Sequence, residues 1–389
     1  MKKSYLMIAV AALAMVSCAQ DDQLKNNFNE EKQLNAINFA SFAQKATRAT
    51  ASANLEDYHK TFAVYGTKNG QDGIQRVFDN VKCTFASSDP IYGEWRYDTP
   101  RYWDKQSSYK FAAFAPDFAP IKFDYAVGNE IASSDGKWVS TGNYTILGQN
   151  LMQEQGVASG DWNTTFNGID GKRDIDIMIA DFTGRKLDEK GVIESTETVN
   201  FEFHHTLAKL LVAAKAAKDL TASGEGYLVK IKSIKANDFL STGSYNTDKW
   251  TAASGDVVNY VYNASDDAVA TTVETKVASG EAIQLTTAPT YFIESLVMPQ
   301  AVAEAQQIVV EYEIESKSLN ASGDAVSYSE AFTRKIDVDE ILVKASGDAS
   351  RYNESYKYLL TLIIDPQIIT FDAKVTDWGN GAAKDYTIE

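Results

Sequence analysis

Scarcity of a few residue types narrows the chemistry of this chain. Histidine occurs three times in 389 residues, at His59, His204 and His205. Acid–base, triad and zinc chemistries draw on histidine more than on any other side chain, so they are starved of their usual residue. His204 and His205 are adjacent; on a strand they face opposite sides and do not share a metal. Two cysteines occur, Cys18 and Cys83. Cys18 lies in an export signal, which leaves Cys83, in the strand-like VKCTFA, as a small buried apolar residue. Seven prolines against 20 tyrosines and 18 phenylalanines suit long β-strands, because aromatics favour pleated surfaces and proline interrupts ladders. Basic charge is short as well: 37 Lys and Arg against 53 Asp and Glu give a net charge of −16. That balance excludes nucleic acid as a partner and electrostatic binding to an anionic membrane. GxSxG, HExxH and phosphate-loop motifs are missing, and no pair of carboxylates is marked by context as a glycosidase pair. Asp174 and Asp176 alternate with Ile175 and Ile177, the pattern of a half-buried strand with a solvated acidic face; the further ligands and glycine of a calcium loop are missing. The chain reads as a non-enzyme with no cofactor and no metal site.

What is present begins with an address. Lys2 and Lys3 precede an apolar run from Tyr5 to Val16, then Ser17 and Cys18. This is a secretory signal, residues 1–17, too short to span a bilayer comfortably. MVSC resembles the lipobox of bacterial lipoproteins, which implies cleavage before Cys18, acylation of its thiol and anchoring to the outer membrane by lipid. Plain secretion with an incidental cysteine is the alternative. Ala19-Gln20-Asp21-Asp22 resembles the surface-export signal of lipoproteins in Gram-negative gut and oral anaerobes. Asp21–Asn35 is polar and mixed in charge, a tether with too little apolar content to order itself.

The stretch Leu34–Ala53 then decides the rest. Ile37 and Phe39 share one face of a short strand, with Asn38 between them. The chain next becomes small and polar around one basic residue, Arg48. Such a segment pairs with a sheet edge yet stays open to a protease. Residues 18–48 read as a tether plus a removable strand, whose loss turns a monomer into a polymer unit; an ordinary linker is the alternative. Phe42 breaks the alternation, so the pairing is expected to bulge or end there.

Strand candidates follow at Thr61–Tyr65 (ended by Gly66), Val77–Phe85, Ser108–Phe114 and Ile121–Val127. Charge and turn residues gather in Asp181–Glu194, which divides residues 49–195 from residues 196–389. Asn200–Lys215 opens the second part, followed by candidates at Tyr227–Lys235, Val257–Tyr262, Tyr291–Leu296, Ile308–Ile314, Tyr358–Ile364 and Ile368–Val375. Ala-Ser-Gly-acid recurs at irregular spacings, reused turn chemistry of hairpins. Gln300–Gln307, after Pro299, reads as a short helical connector. Trp95, Tyr97, Tyr102 and Trp103 cluster with Arg96 and Arg101 between them. They either fill a core or form a stacking platform for sugars, the basis of an alternative reading as a surface glycan-binding lipoprotein that does not polymerise.

Six stretches, in order, resemble the fimbrillins, the Mfa-like type V pilins of Gram-negative anaerobes: TRA at Thr47–Ala49, TFAVYG at Thr61–Gly66, YW…YKFAAFAP across Tyr102–Pro116, DIMIADF at Asp176–Phe182, FHHTLAKLLV at Phe203–Val212, and KYLLTLIID…ITFDAKVTDW across Lys357–Trp378. The resemblance implies an all-β chain of two consecutive transthyretin-like β-sandwich domains and no catalysis. It implies cleavage by an Arg-specific surface protease after Arg48, with Ala49 as the new N-terminus. The emptied groove would then accept a terminal strand of another pilin subunit, in a stalk or a tip adhesin. After Trp378 only Gly379–Glu389 remains, a short donor.

Overall fold

The computed structural model describes residues 36–43, 55, 59–86, 95–124, 137–148, 174–218, 227–246, 249–263, 269–272, 275–277, 282–319, 322, 325–338, 351–365, 369–377 and 384–387. Cys18, Arg48 and Ala49 lie outside the described residues. The described part is built of strands, as the aromatic-rich, proline-poor composition predicts.

The first sheet has seven strands, in the order Phe39–Ala43, Val199–His205, Met178–Arg185, Ser108–Ala115, Thr61–Gly70, Gly73–Phe85 and Trp95–Arg96. One of its faces carries Phe62, Val64, Phe78, Phe111, Phe201 and Phe203, which share a core with Ile37 and Phe39. A second seven-stranded sheet has Ala208–Ala216 and Tyr356–Ile364 at its centre and Lys384–Thr387 at one edge. It packs on a five-stranded sheet built around Tyr227–Leu240 and Gln307–Leu319, and Leu210, Val212, Ile231, Ile234, Val310, Leu360 and Leu362 fill the space between them. Between these units lies a third core that draws on both halves of the chain. Tyr65, Phe114, Trp138 and Ile179 meet Tyr245, Trp250, Leu296 and Met298 there. A three-stranded sheet crosses the same junction, joining Tyr144–Thr145 to Thr242–Tyr245 and Trp250–Ala252.

Several local expectations change. The strand beginning at Thr61 runs on to Gly70 rather than stopping at Gly66. A Cβ on Gly66 would come within 2.8 Å of Phe111 and 3.1 Å of Phe78, so this glycine makes room for rings instead of turning the chain. Gln300–Gln307 forms a turn between strands instead of a helical connector, closed by the buried Gln306 amide donating to Gln300 Oε1 at 3.0 Å. The acidic face expected at Asp174 and Asp176 is buried, because residues 174–177 precede the strand at Met178 and fold inward. Val199–His205 belongs to the first sheet, so the boundary after residue 195 falls before that sheet is complete. The crossing to the second sheet is made at Thr206–Leu207.

Candidate functional site

The feature that stands apart is the seat of the first strand. Phe39–Ala43 runs parallel to Val199–His205, with Phe39 opposite Val199, Ser41 opposite Phe201 and Ala43 opposite Phe203. The other pairings in this sheet are antiparallel. Antiparallel neighbours are joined by tight turns, whereas a parallel neighbour needs a long crossover. Here the partner lies about 160 residues downstream, so the strand is added to the sheet rather than folded from an adjacent hairpin. Pairing is unbroken through Phe42, opposite Glu202, and the expected bulge is not there. The buried series is Ile37, Phe39 and Ser41, a strict alternation.

Backbone bonds hold the strand on both flanks. The Val199 N–H donates to the Asn38 carbonyl at 2.8 Å, while on the other flank the Ile37 N–H donates to the Arg101 carbonyl at 2.7 Å. Ala36 forms a bridge with Tyr102. The Tyr97 hydroxyl donates to the Ile37 carbonyl at 2.6 Å and accepts from the Arg101 N–H at 3.2 Å. Burial holds that hydroxyl above its ordinary pKa, so it stays a donor. The segment from Tyr97 to Tyr102 therefore clasps the strand from outside.

The strand plugs the core with Ile37, 0% exposed, and Phe39, 2% exposed. The Phe39 ring stacks on Phe201 at 5.5 Å and meets Phe78 at 5.1 Å, Tyr97 at 5.7 Å and Phe111 at 5.8 Å. The Arg101 guanidinium covers Phe78 at 4.6 Å. Each buried apolar side chain contributes about 1.5–3 kcal/mol, and each strand hydrogen bond about 1 kcal/mol net. One polar atom fits poorly: Ser41 Oγ is buried with no hydrogen-bond partner.

Three of the four aromatics considered as a sugar platform, Trp95, Tyr97 and Trp103, belong to the core around this seat. Trp95 and Trp103 are 8% and 6% exposed, in T-shaped contact with Phe62 and with Tyr109 and Phe111 respectively. Tyr97 is half-buried against Phe39, and Tyr102 alone of the four stands out, 49% exposed. Ser41 and the strand Val199–His205 were not readable as parts of a site. The available signal was the Val199-Phe201-Phe203 alternation, which announces an apolar face without naming its partner.

A second polar cluster sits at the end of the same sheet. His205 Nδ1 lies 2.9–3.0 Å from both carboxylate oxygens of the buried Asp176. His59 is buried beside them, and burial lowers its pKa to about 4. Among the described residues no three His, Cys, Asp or Glu side chains converge as metal ligands.

A family profile described as fimbrillin-like matches residues 47–378. The chain belongs to that family. Fimbrillin-like proteins are structural and adhesive rather than enzymatic, which gives this member a fimbrial or cell-adhesion role at the cell surface, in association with other pilin subunits. Among solved structures, a fimbrial protein from Bacteroides vulgatus is 13% identical, with a TM-score of 0.50 and coverage of 88% of this chain and 99% of that one. The fimbrial anchor protein Mfa2 from Porphyromonas gingivalis is 12% identical, with a TM-score of 0.28 and coverage of 88% and 97%. No curated protein matches the sequence.

Proposed function

We propose that this fimbrillin-like chain is a pilus subunit exported as a lipoprotein through Cys18, self-capped by the strand around Phe39, and activated by an Arg-specific cut after Arg48. Removal of the cap opens the seat beside Val199–His205, and a strand from another subunit fills it, an instance of β-augmentation. The reading rests on one observation: an apolar parallel strand, bonded on both flanks, ends at Ala43, five residues before Arg48, the only arginine among the first 75 residues. The family match opens at Thr47, beside that arginine. While attached, the strand outcompetes any neighbour through its high effective concentration; cleavage removes that advantage without removing the seat.

Purified precursor treated with an Arg-specific protease is expected to be cut after Arg48 and then to form ladders or filaments. Protein extracted from the cell surface is expected to begin at Ala49 when processed and at lipidated Cys18 when not. A precursor that resists cutting at Arg48, is cut readily elsewhere and stays monomeric would overturn the proposal.

A further inference from the structure

The outer edge of the five-stranded sheet lies far from the seat and carries a pattern of its own. Ala325–Asp337 is 13 residues long and holds no proline. It pairs with Gln307–Leu319 along its whole length, and among the described residues no strand lies on its other side. Such an edge presents a row of unpaired backbone groups. Tyr328 on this strand is 63% exposed, more than any other large apolar side chain described. Further into the sheet, charges are matched across neighbouring strands: Lys230 meets Glu315 at 2.6 Å and Lys232 meets Glu313 at 2.5 Å. Glu330 and Arg334 stand exposed on the edge strand, with no ion pair among the described residues. We infer that Ala325–Asp337 is an interface for a second copy of this chain, the two strands pairing antiparallel about a two-fold axis at Phe332.

A two-fold axis perpendicular to the sheet keeps each face continuous across the join, so every cross-strand contact occurs twice. Of the symmetric registers that keep most of the strand paired, only the one centred on Phe332 sets an acid opposite a base. Glu330 then faces the partner's Arg334, and Arg334 faces the partner's Glu330. On the same face the exposed Tyr328 meets the partner's Ile336, and Phe332 meets the partner's Phe332. Phe332 already stacks on Tyr312 at 5.3 Å, and both Phe332 and Ile336 are half-buried against the core below. The apolar face thus runs on across the join, with aromatic and opposite-charge pairs where a sheet gains from them. On the other face Ser329 meets the partner's Lys335 and Ser327 the partner's Asp337, so no like charges are opposed. Charges on an edge strand can also serve to keep copies apart. Here Glu330, Arg334, Lys335 and Asp337 sum to zero in a chain of net charge −16, so this edge meets its own copy without added repulsion.

Sedimentation velocity of the purified precursor, uncut after Arg48, tests this apart from any strand exchange, because the seat beside Val199–His205 stays filled. The wild-type chain is expected to form a dimer whose fraction rises with concentration. Glu330→Arg alone, or Arg334→Glu alone, sets two pairs of like charges opposite one another and should weaken association about tenfold or more. The two changes together exchange the partners and should restore the dimer. All three variants should keep the wild-type urea midpoint, since the altered side chains are exposed. A wild-type chain that stays monomeric at millimolar concentration would show that these charges only blunt the edge, and the inference would be overturned. Single reversals that leave a dimer intact, or a double variant as weak as the single ones, would overturn it as well. None of these failures touches the capped-pilin reading, which concerns the first sheet.

Discussion

Phe39→Ala is the substitution that weighs most directly on the capped state. The ring is enclosed by Phe78, Tyr97, Phe111 and Phe201, all within 5.8 Å between centroids. Truncating a phenylalanine in such surroundings costs about 3–5 kcal/mol, the lost transfer energy plus that of the cavity left behind. A whole domain is stable by only about 5–15 kcal/mol, so the change consumes a large share of the margin. Urea unfolding of the uncut chain is expected to show a lower midpoint with an unchanged slope, since the surface exposed on unfolding is nearly the same. The control is Asn38→Ala, next door on the exposed face of the same strand, expected within about 0.5 kcal/mol of wild type. After cutting at Arg48, the Phe39→Ala strand should leave the seat about 100-fold or more readily, by the same energy difference. Equal midpoints for the two variants would mean that Phe39 is not a plug, and the reasoning from seat to exchange would fail with it.

Three further outcomes are expected. Tyr97→Phe removes the hydroxyl that joins Ile37 to Arg101 and should cost about 1 kcal/mol in the same unfolding assay, with faster strand loss after cutting. Gly66→Ala pushes a methyl into Phe111 and Phe78 and should destabilise by about 1–3 kcal/mol, read as a lower midpoint. His59 is held neutral by burial with a pKa of about 4 against an unfolded value of 6.5. The unfolded chain therefore takes up a proton first, and about 3 kcal/mol of stability should be lost as pH falls from 6.5 to 4. His59→Leu should lack that loss, so the two pH–stability profiles should diverge as pH falls from 6.5 to 4; parallel profiles would refute the assignment.

Features that depend on neighbours in sequence were legible, and those that depend on distant partners were not. Ile37 and Phe39 declared their shared face through the two-residue period, and the strands at Ser108, Tyr227, Ile308 and Tyr358 did the same. Ser41 did not, because a small polar residue at a third inward position looks like a break until the wall opposite it is known. The density of aromatics from Trp95 to Trp103 was visible, but which side of the sheet they faced was set by Phe62, Tyr109 and Phe111 in other strands. Asp176 read as solvated because its partner, His205, lies 29 residues away. The parallel ladder to Val199–His205 had no local signature at all.

The shared core between the two halves carries a mechanical consequence. Tyr65 and Phe114 from one half pack into the same cluster as Tyr245 and Leu296 from the other, and a small sheet is stitched across the join. Among the described residues, bending one half against the other would have to open that shared core and break that sheet, so the two resist flexing as one body. In a fibre of such units joined by exchanged strands, as proposed above, bending would fall on the joints between neighbours, where the exchanged strand would carry the load in shear along its length.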